Sequence, residues 1–269
     1  VTRDLVPGGW QPGGAATYAA LTAAALGWRV GVLTSAADAP LLATRPKLAV
    51  HCRPAAATTT FENVYLSGRR VQRCYAVAAA LGTADVPASW RLAARAVLLA
   101  PVMNEVSAAL VGCFPQARIA VAAQGFLRRR LRDGTIVGRR WRPARRWLAG
   151  LAAVVLSAED MAHQPELLDA LAAAPLLVVT QGAAGAQVVC GGVVTHIPAY
   201  PAREVDPTGA GDVFAAALLV ALCEGRAPLD AARFAASAAS WAVEAPGVAG
   251  IPTREQIEER LRQCDGSAQ

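Results

Sequence analysis

An unbroken apolar run, residues 213–222, follows at once on Asp206-Pro207-Thr208-Gly209-Ala210-Gly211-Asp212. No other feature of the chain constrains its fold as much. The run has the length and composition of a buried helix, and Gly225 suits the position just past its end. Asp206 and Pro207 read as the turn that precedes it. Glycines on both sides of Ala210 let the backbone approach a ligand closely. Gly209, Ala210 and Gly211 then fall at a helix N-terminus, where free amides and the helix dipole favour an anion. Asp212 falls in the first helical turn, beside that anion site. A carboxylate next to a phosphate-sized hole is what phosphoryl transfer needs. The base takes a proton from an attacking hydroxyl while the amides hold charge on the transferring group.

Composition narrows the alternatives. At 269 residues the chain suits one α/β domain or two small ones. Lys47 is the single lysine among 26 Lys and Arg residues, so no P-loop can be written and a protein-kinase fold lacks its strand lysine. Cys52, Cys74, Cys113, Cys190, Cys223 and Cys264 show no paired spacing, which argues against zinc and for isolated thiols in a reducing cytoplasm. The apolar run at 213–222 is too short to span a bilayer, and the first residues carry no signal-peptide pattern. The net charge of +6 is concentrated: Arg128, Arg129, Arg130, Arg132, Arg139, Arg140, Arg142, Arg145 and Arg146 share one segment with Asp133. It reads as a solvated face, one or two of its arginines touching an anionic substrate. The rival reading is a polyanion-binding surface, but the aromatic-basic pattern of a nucleic-acid module is missing.

Taken in order, residues 1–5 read as the end of a strand and the loop after it, with the body of the strand missing. Gly13 and Gly14 open an alanine-rich helix that Gly27 closes, and residues 28–35 alternate like a strand. Residues 58–65 and 69–77 read as a hairpin turning at Ser67-Gly68, a lid of about 57–78 within a single domain of 1–269. Residues 97–100 and 119–123 are apolar runs of the buried parallel type, as are 154–156 and 176–179. In an open parallel sheet ligands bind beyond the strands' carboxyl ends, which makes Asn104, Glu105, Gln124 and Arg128 candidates. A second alanine-rich helix over 234–243 and a capped helix over 253–263 complete the chain. Strands alternating with helices predict a doubly wound α/β fold.

The string Asp206-Pro207-Thr208-Gly209-Ala210-Gly211-Asp212 resembles the second signature of the PfkB (ribokinase-like) carbohydrate kinases, Asp-Thr-x-Gly-Ala-Gly-Asp, with Pro207 in place of Thr. Gly13-Gly14 and the helix after them resemble the first signature. The resemblance implies a mostly parallel sheet flanked by helices, with a small reduced β lid. It implies ATP-dependent phosphorylation of a small sugar, polyol or nucleoside, with Asp212 as base and Gly209, Ala210 and Gly211 as the anion hole. Asp4, Gly13, Gly14, Tyr18, Asn104, Gln124 and Arg128 would meet the acceptor. Tyr18 stands where the family often has Asn, and Gln124-Gly125 replaces an acidic start. Ser157, Thr180, Gly182, Thr208, Ser237, Ser240 and Gly247 would border the nucleotide with Gly209 and Gly211. Asp160 would hold magnesium through water, with Ser157 and Asp160 replacing an Asn and Glu pair; Asp206 would sit at a monovalent cation such as K+. The departures keep a sugar- or nucleotide-binding sensor in play as a rival. They also resemble inositol kinases as much as ribokinases. Monomer and lid-mediated homodimer both remain open.

Overall fold

The computed structural model describes residues 1–38, 48–66 and 69–265. Strands β1 (Thr2–Val6) and β2 (Gly9–Gly13) form a hairpin that leads into helix α1 (Ala15–Ala25). Strands β3 (Val30–Ala36) and β4 (Leu48–Pro54) pair in parallel. Strands β5 (Thr60–Leu66) and β6 (Arg69–Ala76) form a second hairpin. Helix α2 (Ala88–Ala93) precedes β7 (Ala96–Leu99) and β8 (Arg118–Ala122). A ribbon of β9 (Arg128–Arg130) and β10 (Ile136–Gly138) comes next, then α3 (Arg145–Ala149) and β11 (Ala153–Ser157). Short helices α4 (Ala158–Met161) and α5 (Leu167–Leu171) lead to β12 (Leu176–Thr180), β13 (Ala186–Cys190) and β14 (Val193–Ile197). Helices α6 (Ala210–Cys223), α7 (Pro228–Ala242) and α8 (Arg254–Asp265) close the chain.

The central sheet has the order β14-β13-β12-β11-β8-β7. It is parallel from β7 to β12, and β13 and β14 add an antiparallel edge. Alternation along each strand sends side chains to opposite faces. Ala120, Val155 and Val178 meet α6 and α7 on one face, while Val121, Val154 and Leu177 meet Phe126, Leu148 and Leu167 on the other. Strands covered on both faces must be apolar throughout, which is why these runs were visible in the sequence. Helix α6 lies between the sheet and its neighbours α1 and α7, with every residue of 213–222 buried. This is the α/β, mostly parallel, ribokinase-like architecture the sequence predicts.

Two expectations need correction. Residues 2–6 are strand throughout, not a strand end followed by a loop. They pair antiparallel with β2 and parallel with β5, giving a small sheet of order β2-β1-β5-β6. The small sheet is therefore four strands wide and not the reduced hairpin expected, since the short segment before Gly13 contributes two strands itself. The predicted turn at Ser67-Gly68 lies outside the described residues.

Candidate active site

The motif before α6 folds as its residue types require. Asp206 holds its turn through Oδ1, which accepts the Thr208 amide at 3.0 Å. Its Oδ2 accepts the Gly247 amide at 2.9 Å, joining this loop to the one that follows α7. Both carboxylate oxygens thus bind backbone, and a structural role is the one this geometry assigns to Asp206.

Gly209 is the N-cap of α6 with φ 82°, left-handed backbone that glycine adopts freely. A Cβ there would also lie 2.3 Å from the Tyr18 ring. Gly211 differs, because a Cβ on it would meet nothing within 4 Å. Packing within the chain therefore does not demand glycine at 211. Of the first amides of α6, Ala210 donates to the Pro207 carbonyl at 3.3 Å and Asp212 to the Gly209 carbonyl at 3.0 Å.

Asp212 is half-buried in the first turn. Burial pushes its carboxyl up to about 7; Arg128 opposes that rise, Asp160 and Asp4 add to it, and the N-terminal amine opposes it. Four elements thus bring charged groups to one place: Asp4 from β1, Arg128 from β9, Asp160 from α4 and Asp212 from α6.

Asp4 accepts the Thr2 hydroxyl at 2.8 Å through Oδ1. Its carboxylate lies over Gly13, whose Cβ would fall 2.0 Å from Oδ2. Gly14 has φ 80° and faces the Thr2 methyl. The paired glycines therefore let β1 lie close against the start of α1, which accounts for them within the chain.

At the carboxyl ends of β11 and β12, Ser157 and Thr180 are opposite partners. Ser157 and Asp160 form a capping box: the Ser157 hydroxyl donates to Asp160 Oδ2 at 2.7 Å and accepts the Asp160 amide at 3.1 Å. Asp160 Oδ1 receives Gln124 Nε2 at 3.3 Å and Arg128 Nη2 at 3.4 Å. Among the described residues no group of three or more His, Cys, Asp or Glu could hold a metal alone. A single carboxylate such as Asp160 fits a magnesium ion only through the ion's own waters, since its oxygens are already bonded to Ser157, Gln124 and Arg128. Thr180 leans on the Leu156 carbonyl at 3.4 Å, and Gly182 follows with φ 57° and open space beside it.

Four predicted site residues are placed differently. Tyr18 is 2% exposed, its ring against Gly209 and its hydroxyl toward Gly247, so it packs under the start of α6 and is not set to meet an acceptor. Ser237 is fully buried and donates to the Ile257 carbonyl at 3.0 Å. Ser240 donates to the Ser237 carbonyl at 2.7 Å and accepts Arg260 at 2.8 Å. Both serines fasten α7 to α8 and turn away from solvent. Asn104 has φ 62° and accepts Arg139 at 3.0 Å on the exposed side of its loop. Gln72, which the sequence did not single out, accepts Arg128 Nη1 at 3.1 Å from β6. Gln72 stands opposite Asn63 in the β5–β6 pair, a long-range placement with no local signal in the sequence.

Comparison with known proteins agrees with this arrangement. Residues 148–254, which hold the whole motif, match the pfkB family carbohydrate kinases. The chain is 46% identical over 101 residues to ribokinase of Bacillus subtilis (strain 168), a stretch covering 36% of this chain and 34% of that protein. It is 33% identical over 98 residues to inositol 3-kinase of Arabidopsis thaliana, covering 34% of this chain and 28% of that protein. The matched stretch thus spans about a third of these curated relatives. Over 97% of both chains the fold superposes on a pyrophosphate-dependent kinase of the ribokinase family, complexed with a pyrophosphate analog and myo-inositol, at a TM-score of 0.77 and 21% identity. Residues 148–254, with the motif that opens α6, are thus similar to the pfkB family carbohydrate kinases, and the whole fold is that of the ribokinase family.

Proposed function

We propose that the chain transfers the γ-phosphoryl group of ATP to a hydroxyl of a small sugar or polyol. The observation that carries this is Asp212, a carboxyl raised to about 7 at the N-terminus of a buried helix, with Arg128 beside it. A base poised near the working pH can take the acceptor's proton and still be ionised in a useful fraction of molecules. The amides at 209–211 stabilise negative charge on the phosphoryl oxygens as the group passes to the acceptor. Arg128 adds a positive charge to the same place. Asp4, whose charge also reaches Asp212, accepts hydrogen bonds from acceptor hydroxyls and so holds one of them for the base. Asp160 would hold the water shell of a magnesium ion carried on the phosphates, and such an ion would supply neutralisation of their charge. Most of the rate then comes from positioning and electrostatics.

A second donor is favoured by one observation. Ser237 and Ser240, expected beside the adenine, are buried and bonded within the chain. A donor without a base, pyrophosphate, needs no such contacts. The deciding experiment measures turnover with ATP and with pyrophosphate against ribose, fructose, nucleosides and myo-inositol, with K+ and with Na+. At least one sugar or polyol is expected to be phosphorylated, with kcat reduced about 100-fold or more in Asp212→Asn. Retained turnover in that variant removes Asp212 as base. Nucleotide binding without turnover favours the sensor.

A further inference from the structure

We infer that Gln72 is a positioning residue, which fixes Arg128 against the transfer site from the small four-stranded sheet. The inference rests on the reading of Asp212 and Arg128 given above. Arg128 offers only donors, so the Gln72 amide must turn its oxygen toward the guanidinium, as it does at 3.1 Å. That leaves Gln72 Nε2 to donate to Asn63 Oδ1 at 3.2 Å across the β5–β6 pair, where the two residues stand opposite. On its other side the guanidinium reaches Asp160 Oδ1 at 3.4 Å. Asp160 is held in turn by Ser157 and Gln124. A planar fork gripped at two separate nitrogens has its orientation set, which a flexible ammonium would not.

The ribbon carrying Arg128 is laced to β6 elsewhere, but through backbone. Arg130 donates to the Cys74 and Tyr75 carbonyls at 2.6 and 3.0 Å, and the Cys74 amide donates to the Gly134 carbonyl at 2.8 Å. Those contacts hold the ribbon in place whatever side chain stands at 72. Gln72 adds the aim of one charge. Any movement of the small sheet that draws β6 away takes the Gln72 oxygen with it. Arg128 then loses its Gln72 acceptor while keeping Asp160.

Gln72→Met keeps the length of the side chain and removes both hydrogen bonds. It is expected to lower kcat about tenfold, the worth of a hydrogen bond to a charged group, with the acceptor KM changed by less than about threefold. In an Arg128→Met background the same substitution is expected to cost less than about twofold further. Gln72→Glu keeps an acceptor for Arg128 and should hold kcat within about threefold of the parent. The charged groups facing Asp212 are Arg128, Asp160, Asp4 and the N-terminal amine, so displacing Arg128 should move the acid limb of the rate profile to higher pH. Carboxyl NMR of Asp212 in Gln72→Met reads the same shift without turnover. An upward shift there sustains the inference even if no acceptor is phosphorylated, a result that would count against the kinase reading alone. Additive losses in the double variant, or an unmoved Asp212 titration, overturn it.

Discussion

Asp212 pays for its reactivity in stability. Its folded pKa of about 7 lies above the ordinary 3.8, so the folded chain holds a proton there that the unfolded chain gives up. The burden is absent below about pH 4, grows as pH rises toward 7, and is constant above. Asp212→Asn should therefore melt a few degrees higher than the parent at pH 8 and nearly with it at pH 4, by calorimetry at both values. Because solvent reaches the side chain, the gain should be about 1–3 kcal/mol, less than the full shift would give. Catalysis has the opposite sign: kcat/KM should climb as pH rises through about 7 and the base ionises. A variant that is more stable and inactive separates the loss of a base from a loss of fold. Gly209→Ala should behave differently, because φ 82° and the Tyr18 ring at 2.3 Å both resist a methyl group. A destabilisation of about 1–3 kcal/mol by urea titration is expected, independent of pH.

At the scale of elements, the loop before α6 and the loop after α7 depend on one carboxylate. Asp206→Ala removes acceptors for the Thr208 and Gly247 amides together, and should cost about 2–4 kcal/mol in urea denaturation and weaken donor binding. How far each element could be read in the sequence follows from its burial. β8, β11 and β12 are covered on both faces, so their runs are continuous, and α6 is apolar all round for the same reason. β2 gave no such signal. Its sequence Gly-Trp-Gln-Pro-Gly has no apolar alternation, and it tolerates Pro12 because it forms the edge of its sheet. Its existence depends on β1, which pairs with β5 across more than fifty intervening residues, a contact that local pattern cannot reveal. The inward turn of Ser237 and Ser240 was hidden for another reason. Helix α7 is alanine on so many sides that the sequence does not define its buried face. Tyr18 carried a motif position but takes its role from three dimensions, where it fills the space beneath Gly209.

Over the whole molecule, the basic segment divides into arginines that hold the structure and arginines that face water. Arg128, Arg130 and Arg139 bind side chains or carbonyls of other elements, whereas Arg129, Arg132, Arg142 and Arg146 lie on the exposed side. Replacing the latter four with Gln should leave stability within about 0.5 kcal/mol per site and preserve turnover. Arg130→Ala should cost about 1–2 kcal/mol through the two carbonyls it leaves without a partner. If the segment bound nucleic acid, the fourfold variant would abolish a steep salt dependence of that binding, measurable by titration at several ionic strengths. Helix α6 sets the last consequence. Residues 213–222 are buried on every side, so the helix that carries Asp212 is anchored in the core. The small sheet packs on the body through Phe61 and Cys74 against Met103, and Arg130 ties β6 to the ribbon of β9 and β10. Changes of acceptor are therefore open to evolution, or to a designer, at the side chains of β5 and β6 other than Asn63 and Gln72, which hold Arg128.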